Sequence, residues 1–121
     1  MSSPNLLTVE LHERLLANRR QPAKDHVPML KLFNPVGAAT WLATELDADG
    51  DSLFGLADLG FGFPELGSFS LAEIEALRLP FGLRIERDLF FVTDQPISVW
   101  AETARSTGSI IAAERLLASV R

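Results

Sequence analysis

Two apolar runs, Thr40–Leu46 (TWLATEL) and 52–60 (SLFGLADLG), flank the turn Asp47-Ala48-Asp49-Gly50-Asp51, and this arrangement constrains the fold most. Each run is short and rich in residues that suit a pleated surface, and Asp49-Gly50 supplies hairpin turn chemistry. An antiparallel hairpin follows as the nucleus of a sheet. Strict alternation places Trp41, Ala43 and Glu45 on one face and Leu42, Thr44 and Leu46 on the other. In the second run Leu53 and Phe54 fall on opposite faces, so both sides of the hairpin should be partly covered.

Further elements can be placed around that hairpin. Thr8 is an N-cap for a helix over 9–19, with Leu11, Leu15 and Leu16 on its inner face. VPMLKLF (27–33) reads as a strand, with Pro28 at its start or on an edge. Ser70-Leu71-Ala72-Glu73 has capping-box spacing and opens a helix over about 71–78. LRIERDLFFV gives a strand over 84–92. A further short strand can lie near 66–69. Pro96 and the stripe Ile97, Trp100, Ala101 and Ala104 give a helix over 97–106, with Asp94 as its cap candidate and Gly108 as its stop. Ile110, Ala113, Leu117 and Val120 mark a C-terminal helix. The expectation is one globular α+β domain over residues 1–121: a small antiparallel sheet of four to five strands packed with three to four short helices.

Charge is distributed unevenly along this framework. Between Lys31 and Arg78 there is no basic residue, while Glu45, Asp47, Asp49, Asp51, Asp58, Glu65, Glu73 and Glu75 all lie there. The flanks are mildly basic, so the whole net charge of −5 originates in the middle. An acidic centre disfavours direct binding to nucleic-acid phosphates and favours a basic partner. The chain has no cysteine, which removes disulfides, thiolate metal sites and a Cys nucleophile. No apolar run approaches membrane-spanning length, and the first residues lack the pattern of a signal peptide. A cytoplasmic protein without a membrane anchor is expected.

Several local patterns use residue types that can carry chemistry. Asp47, Asp49 and Asp51 match the first, third and fifth positions of a calcium loop, with Asp58 at the twelfth. The sixth position is Ser52 where glycine is required, and Leu59-Gly60-Phe61-Gly62-Phe63-Pro64 cannot form the exit helix. Plain turn chemistry is therefore the stronger reading, with a cation at Asp47, Asp49, Asp51 and Asp58 as the alternative. Asp58 and Glu65 could form an acid–base pair only if one were desolvated. GFGFPELG (60–67) departs from phosphate-binding glycine spacing and places Pro and Glu where amides should face an anion. Phe61 and Phe63 point the same way in an extended segment. Core packing is favoured for them, with an exposed apolar anchor as the other reading. His12 and His26 lack a third ligand for zinc, and Arg19, Arg20 and Lys24 suit the end of the first helix. No nucleophile elbow is present, so no catalytic residue is assigned and no cofactor is expected.

The block WLATELDADGDSLFGLADLGFGFPELGSFSLAEIEAL, followed by LPFGLRIERDLFF, resembles a bacterial family known as domain of unknown function 2958. LLTVELHERLLAN and VPMLKLFNPVGAATWL resemble it too, so the likeness covers about residues 6–108. It implies a setting on plasmids and other mobile elements, and it brings no activity, ligand or catalytic residue. The functional expectation is a non-enzymatic interaction protein of a mobile element, with an anti-defence or plasmid-accessory role. It would offer Asp47, Asp49, Asp51, Phe61, Phe63 and Glu65 to a basic partner protein. The alternatives are a small metal-binding domain or metal-dependent enzyme using the acidic turn, and a homo-oligomeric structural module.

Overall fold

The computed structural model describes residues 6–119. Thr8 caps helix α1 (Val9–Arg19) by accepting from the Leu11 amide. Strand β1 (Leu30–Phe33) follows, then the hairpin of β2 (Thr40–Leu46) and β3 (Ser52–Asp58), then β4 (Glu65–Ser70). Helix α2 (Leu71–Ala76), a 3-10 turn (Pro80–Gly82), strand β5 (Glu86–Arg87), and helices α3 (Ile97–Thr107) and α4 (Ile110–Ser119) complete the order. The strands form one antiparallel sheet in the order β4-β3-β2-β1-β5. This is an α+β fold with the hairpin at its centre.

Both faces of the sheet are covered. On one face Leu30, Leu32, Trp41, Ala43, Leu46 and Leu53 pack with Leu15 of α1 and Leu71 and Ile74 of α2. On the other, Leu42 and Leu56 pack with Ile97, Trp100, Ala101 and Ala104 of α3 and Ile110 and Ala113 of α4. Strand β2, in the middle of the sheet, is therefore buried along its whole length. Lys31 pins the second layer by bridging Asp88 at 3.3 Å and Glu114 of α4 at 2.6 Å.

Strict alternation fails at one point. The β2–β3 register jumps between Ala43 and Glu45, leaving Thr44 as an extra residue. A β-bulge shifts the side-chain phase beyond it, so Leu46 joins Trp41 and Ala43 in the same core rather than facing away from them. The bulge sits where Gly55 passes β2. A Cβ at Gly55 would lie 1.8 Å from the Leu42 carbonyl oxygen, so only glycine admits that approach.

Other expectations are corrected by local hydrogen bonds. The first strand is Leu30–Phe33, shorter than 27–33, although the Met29 amide still reaches the Ala43 carbonyl at 3.2 Å. The strand expected over 84–92 is reduced to Glu86–Arg87. Asp88 ends it: its carboxylate accepts from the Phe90 amide and its carbonyl from the Phe91 amide, which turns the chain out of the sheet. Phe91 then turns inward against Trp100, with ring centroids 5.9 Å apart. Helix α2 stops at Ala76 because Leu77 is already extended. The strand near 66–69 is present as β4. Helix α3 is capped not by Asp94 but by Asp25, which lies 73 positions earlier and accepts from the Ser98 amide and hydroxyl. Val120, placed by sequence on the last helix, lies outside the described residues.

Candidate functional site

The acidic turn joins β2 to β3, and its carboxylates are engaged with the chain's own donors. Asp49 accepts from the Asp51 and Ser52 amides, both at 2.8 Å, and from the Ser52 hydroxyl at 2.6 Å. Those bonds, the Ser52 hydroxyl foremost, hold its carboxyl below the ordinary Asp value. Asp51 serves α2: its carboxylate accepts from the Ala72 amide and the Ser70 hydroxyl, and its carbonyl from the Leu71 amide. The Ser70 hydroxyl in turn accepts from the Glu73 amide, so the start of α2 is capped jointly by Ser70 and Asp51. Asp47 accepts from the Ala48 amide and lies 3.7 Å from Arg19, which also reaches the buried Glu45 at 3.3 Å. The turn is therefore a joint between the hairpin and two helices. Reversing all three Asp charges would remove caps and turn bonds together with the charge.

Asp58 belongs elsewhere. It ends β3, is fully buried, and accepts from the Gly60 amide at 2.9 Å and the Ile110 amide at 2.8 Å. Ile110 is the first residue of α4, so one carboxylate shapes the β3–β4 loop and also caps a helix across the molecule. β3 spans seven residues, so Asp58 and the Asp47–Asp51 turn lie at opposite ends of a strand about 20 Å long. The four carboxylates of the cation reading are not brought together. Among the described residues, no group of three His, Asp or Glu side chains could hold a metal ion.

The same geometry separates the two halves of the expected partner surface. Phe61, Phe63 and Glu65 stand at the Asp58 end of the sheet, away from Asp47, Asp49 and Asp51. The expectation that Phe61 and Phe63 are core is overturned: they are 78% and 80% exposed. Pointing the same way does not make them core, because the loop passes beyond the end of the sheet. Gly60 (φ +92°) and Gly62 (φ +87°) adopt left-handed backbone, and Gly60 is held by the Asp58 carboxylate and packs beside Ala38. The loop thus presents two phenyl rings to solvent, with Leu59 also exposed and Glu65 exposed beside them. Asp58-Leu59-Gly60, an Asp two residues before a glycine, was the available sequence signal for this anchored turn.

Two further exposed rings, Phe81 and Phe90, were missed in sequence. Phe81 is 91% exposed and sits in the left-handed region at φ +65°. Leu89, Phe90 and Val92 are exposed on the segment that leaves β5. No helix among the described residues is long and apolar enough to cross a membrane.

Fold and site together define a small α+β protein: an antiparallel sheet covered on both faces, with an aromatic loop displayed at one end. The chain belongs to the family described as protein of unknown function DUF2958, whose model matches residues 6–111. No curated protein matches the chain, and no solved structure does.

Proposed function

We propose that this protein is a non-enzymatic protein-interaction module whose docking element is the Phe61–Phe63 loop with Glu65. The observation that carries this reading is the solvent exposure of Phe61 and Phe63 on a loop fixed by a buried carboxylate. Exposed aromatic side chains are costly in solution and are enriched where proteins meet. The fold goes to some length to hold them out: Asp58 anchors the loop and two left-handed glycines shape it. Glu65 is the acid beside the rings, so the partner surface is apolar with a basic rim. The acidic turn at the other end of the sheet contributes less, since the contacts of Asp49 and Asp51 are internal. We further propose that the module belongs to plasmids or other mobile elements of bacteria and acts in the cytoplasm, in an anti-defence or plasmid-accessory role.

The test is photo-crosslinking in bacterial cells with a benzophenone side chain at position 61 or 63. Both positions should capture one common basic protein, and a probe at the exposed Val9 should not. Phe61→Ser with Phe63→Ser should abolish capture by a nearby probe at Leu59 while leaving the melting temperature unchanged. Adducts identical to those from Val9, or none, would sink the reading.

A further inference from the structure

The sheet ends on one side in a six-residue edge, β4, and on the other in the two-residue β5. The Leu71 amide donates to the Asp51 carbonyl, which fixes the phase of the β3–β4 ladder. In that phase Glu65, Gly67 and Phe69 bond to β3, and Leu66 and Ser68 turn their amide and carbonyl groups outward. Leu66 and Ser68 are both exposed. Natural sheets blunt such an edge with lysine, proline, a bulge or short length. Glu65-Leu66-Gly67-Ser68-Phe69-Ser70 contains no lysine or proline, and its register with β3 runs from Ser52–Ser70 to Ala57–Glu65 without a shift.

Gly67 sharpens the point. Its ladder neighbour Gly55 is demanded by the Leu42 carbonyl, but a Cβ at Gly67 would meet nothing within 4 Å and its φ is not left-handed. The fold itself does not require glycine there, and a strand glycine weakens the strand. An open glycine on an open edge leaves room for another backbone and its side chains. A cleft of about 300 Å³ runs beside this edge, lined by Ser68, Phe69, Ser70, Ile74 and Leu77 among others.

We propose that β4 pairs antiparallel with β4 of a second copy of this chain, about a two-fold axis at Ser68, joining the two sheets into one. Pairing about a two-fold axis requires outward groups to meet outward groups and residues of one face to meet the same face. The register centred on Ser68 does both. Ser68 faces Ser68 of the second copy as a hydrogen-bonded pair, and Leu66 faces Ser70, whose outward amide can donate to the Leu66 carbonyl while its own carbonyl opens α2. Gly67 faces Phe69 in the closer, non-hydrogen-bonded pair, where an aromatic ring covers an open strand glycine. Glu65, the strand's one charge, falls opposite Leu71 and not its own copy, so no like charges are opposed. The pairing shares with the proposed partner surface only Glu65, at its end, and uses neither Phe61 nor Phe63; its tests at Ser68 therefore fail or succeed separately from the partner reading.

Light scattering of the full chain across a concentration series tests this. The expected mass is twice that of the chain. Ser68→Lys sets two ammonium groups directly opposite each other and should raise the dimer dissociation constant at least about tenfold, with far-ultraviolet dichroism unchanged. Facing Cα atoms of a hydrogen-bonded antiparallel pair lie about 5.5 Å apart, within disulfide range. The chain has no native cysteine, so Ser68→Cys should oxidise to a covalent dimer and Val9→Cys should not. A monomer at every concentration overturns the proposal. So does a dimer that Ser68→Lys leaves intact, or one that Ser68→Cys fails to cross-link.

Discussion

Asp58 offers the most direct test of how this fold is held. Its two carboxylate oxygens take the Gly60 and Ile110 amides, and its side chain is sealed from solvent. Hydrogen bonds to a charged acceptor contribute about 1.5–3 kcal/mol each, and a buried donor left unpaired costs about 1–3 kcal/mol. Asp58→Ala removes both bonds and leaves the buried Ile110 amide without an acceptor, for an expected loss of about 3–5 kcal/mol. Asp58→Asn keeps one oxygen and turns an NH2 group towards the other amide, for about 1.5–3 kcal/mol. Domains of this kind are stable by only about 5–15 kcal/mol, so the alanine variant gives up a large share of the total. Urea unfolding monitored by tryptophan fluorescence gives the stability difference from the midpoint at constant slope. Amide hydrogen exchange should show Ile110 losing protection before the strands do. If Asp58→Asn unfolds within about 0.5 kcal/mol of the parent, a typical surface effect, then Asp58 does not tie β3 to α4 and the reasoning is wrong. A carboxylate kept for an external ligand would give that null result.

Three further outcomes follow from particular contacts. Gly55→Ala should destabilise by about 4 kcal/mol or more in urea melts, because its Cβ would sit 1.8 Å from the Leu42 carbonyl and the central ladder must open; a loss under about 1 kcal/mol would contradict that packing. Phe81→Asn should leave the protein at least as stable, by up to about 1 kcal/mol, since the ring is exposed and left-handed backbone costs a bulky residue about that much; a fall in melting temperature would show that the ring packs. The Asp49 carboxyl should titrate below the ordinary 3.8, and Ser52→Ala should move it upward by removing the largest cause. Because the folded value is depressed, its stabilisation is present above the unfolded value and is lost as pH falls through the folded one. A carbon-detected NMR titration unaffected by Ser52→Ala would refute the assignment.

The sequence by itself determined the elements whose signals are local. The hairpin runs and their turn, the α1 cap at Thr8, the Ser70 cap and the Ile97–Trp100–Ala101–Ala104 stripe are patterns of a few neighbouring residues, and the structure contains each. The acidic excess was equally plain. What the acids do was decided only by tertiary structure, because a carboxylate's role depends on which amides reach it. Asp51 meets α2, Asp25 caps a helix 73 positions away, and Asp58 meets Ile110 across 52 positions. The bulge at Thr44 shifts the phase of β2, and the shift arises from pairing with β3, not from β2 alone. Spacing could show that Phe61 and Phe63 point together but not what they face. The strand ends at Asp58, and beyond it the same two rings that would be core over a strand stand in solvent.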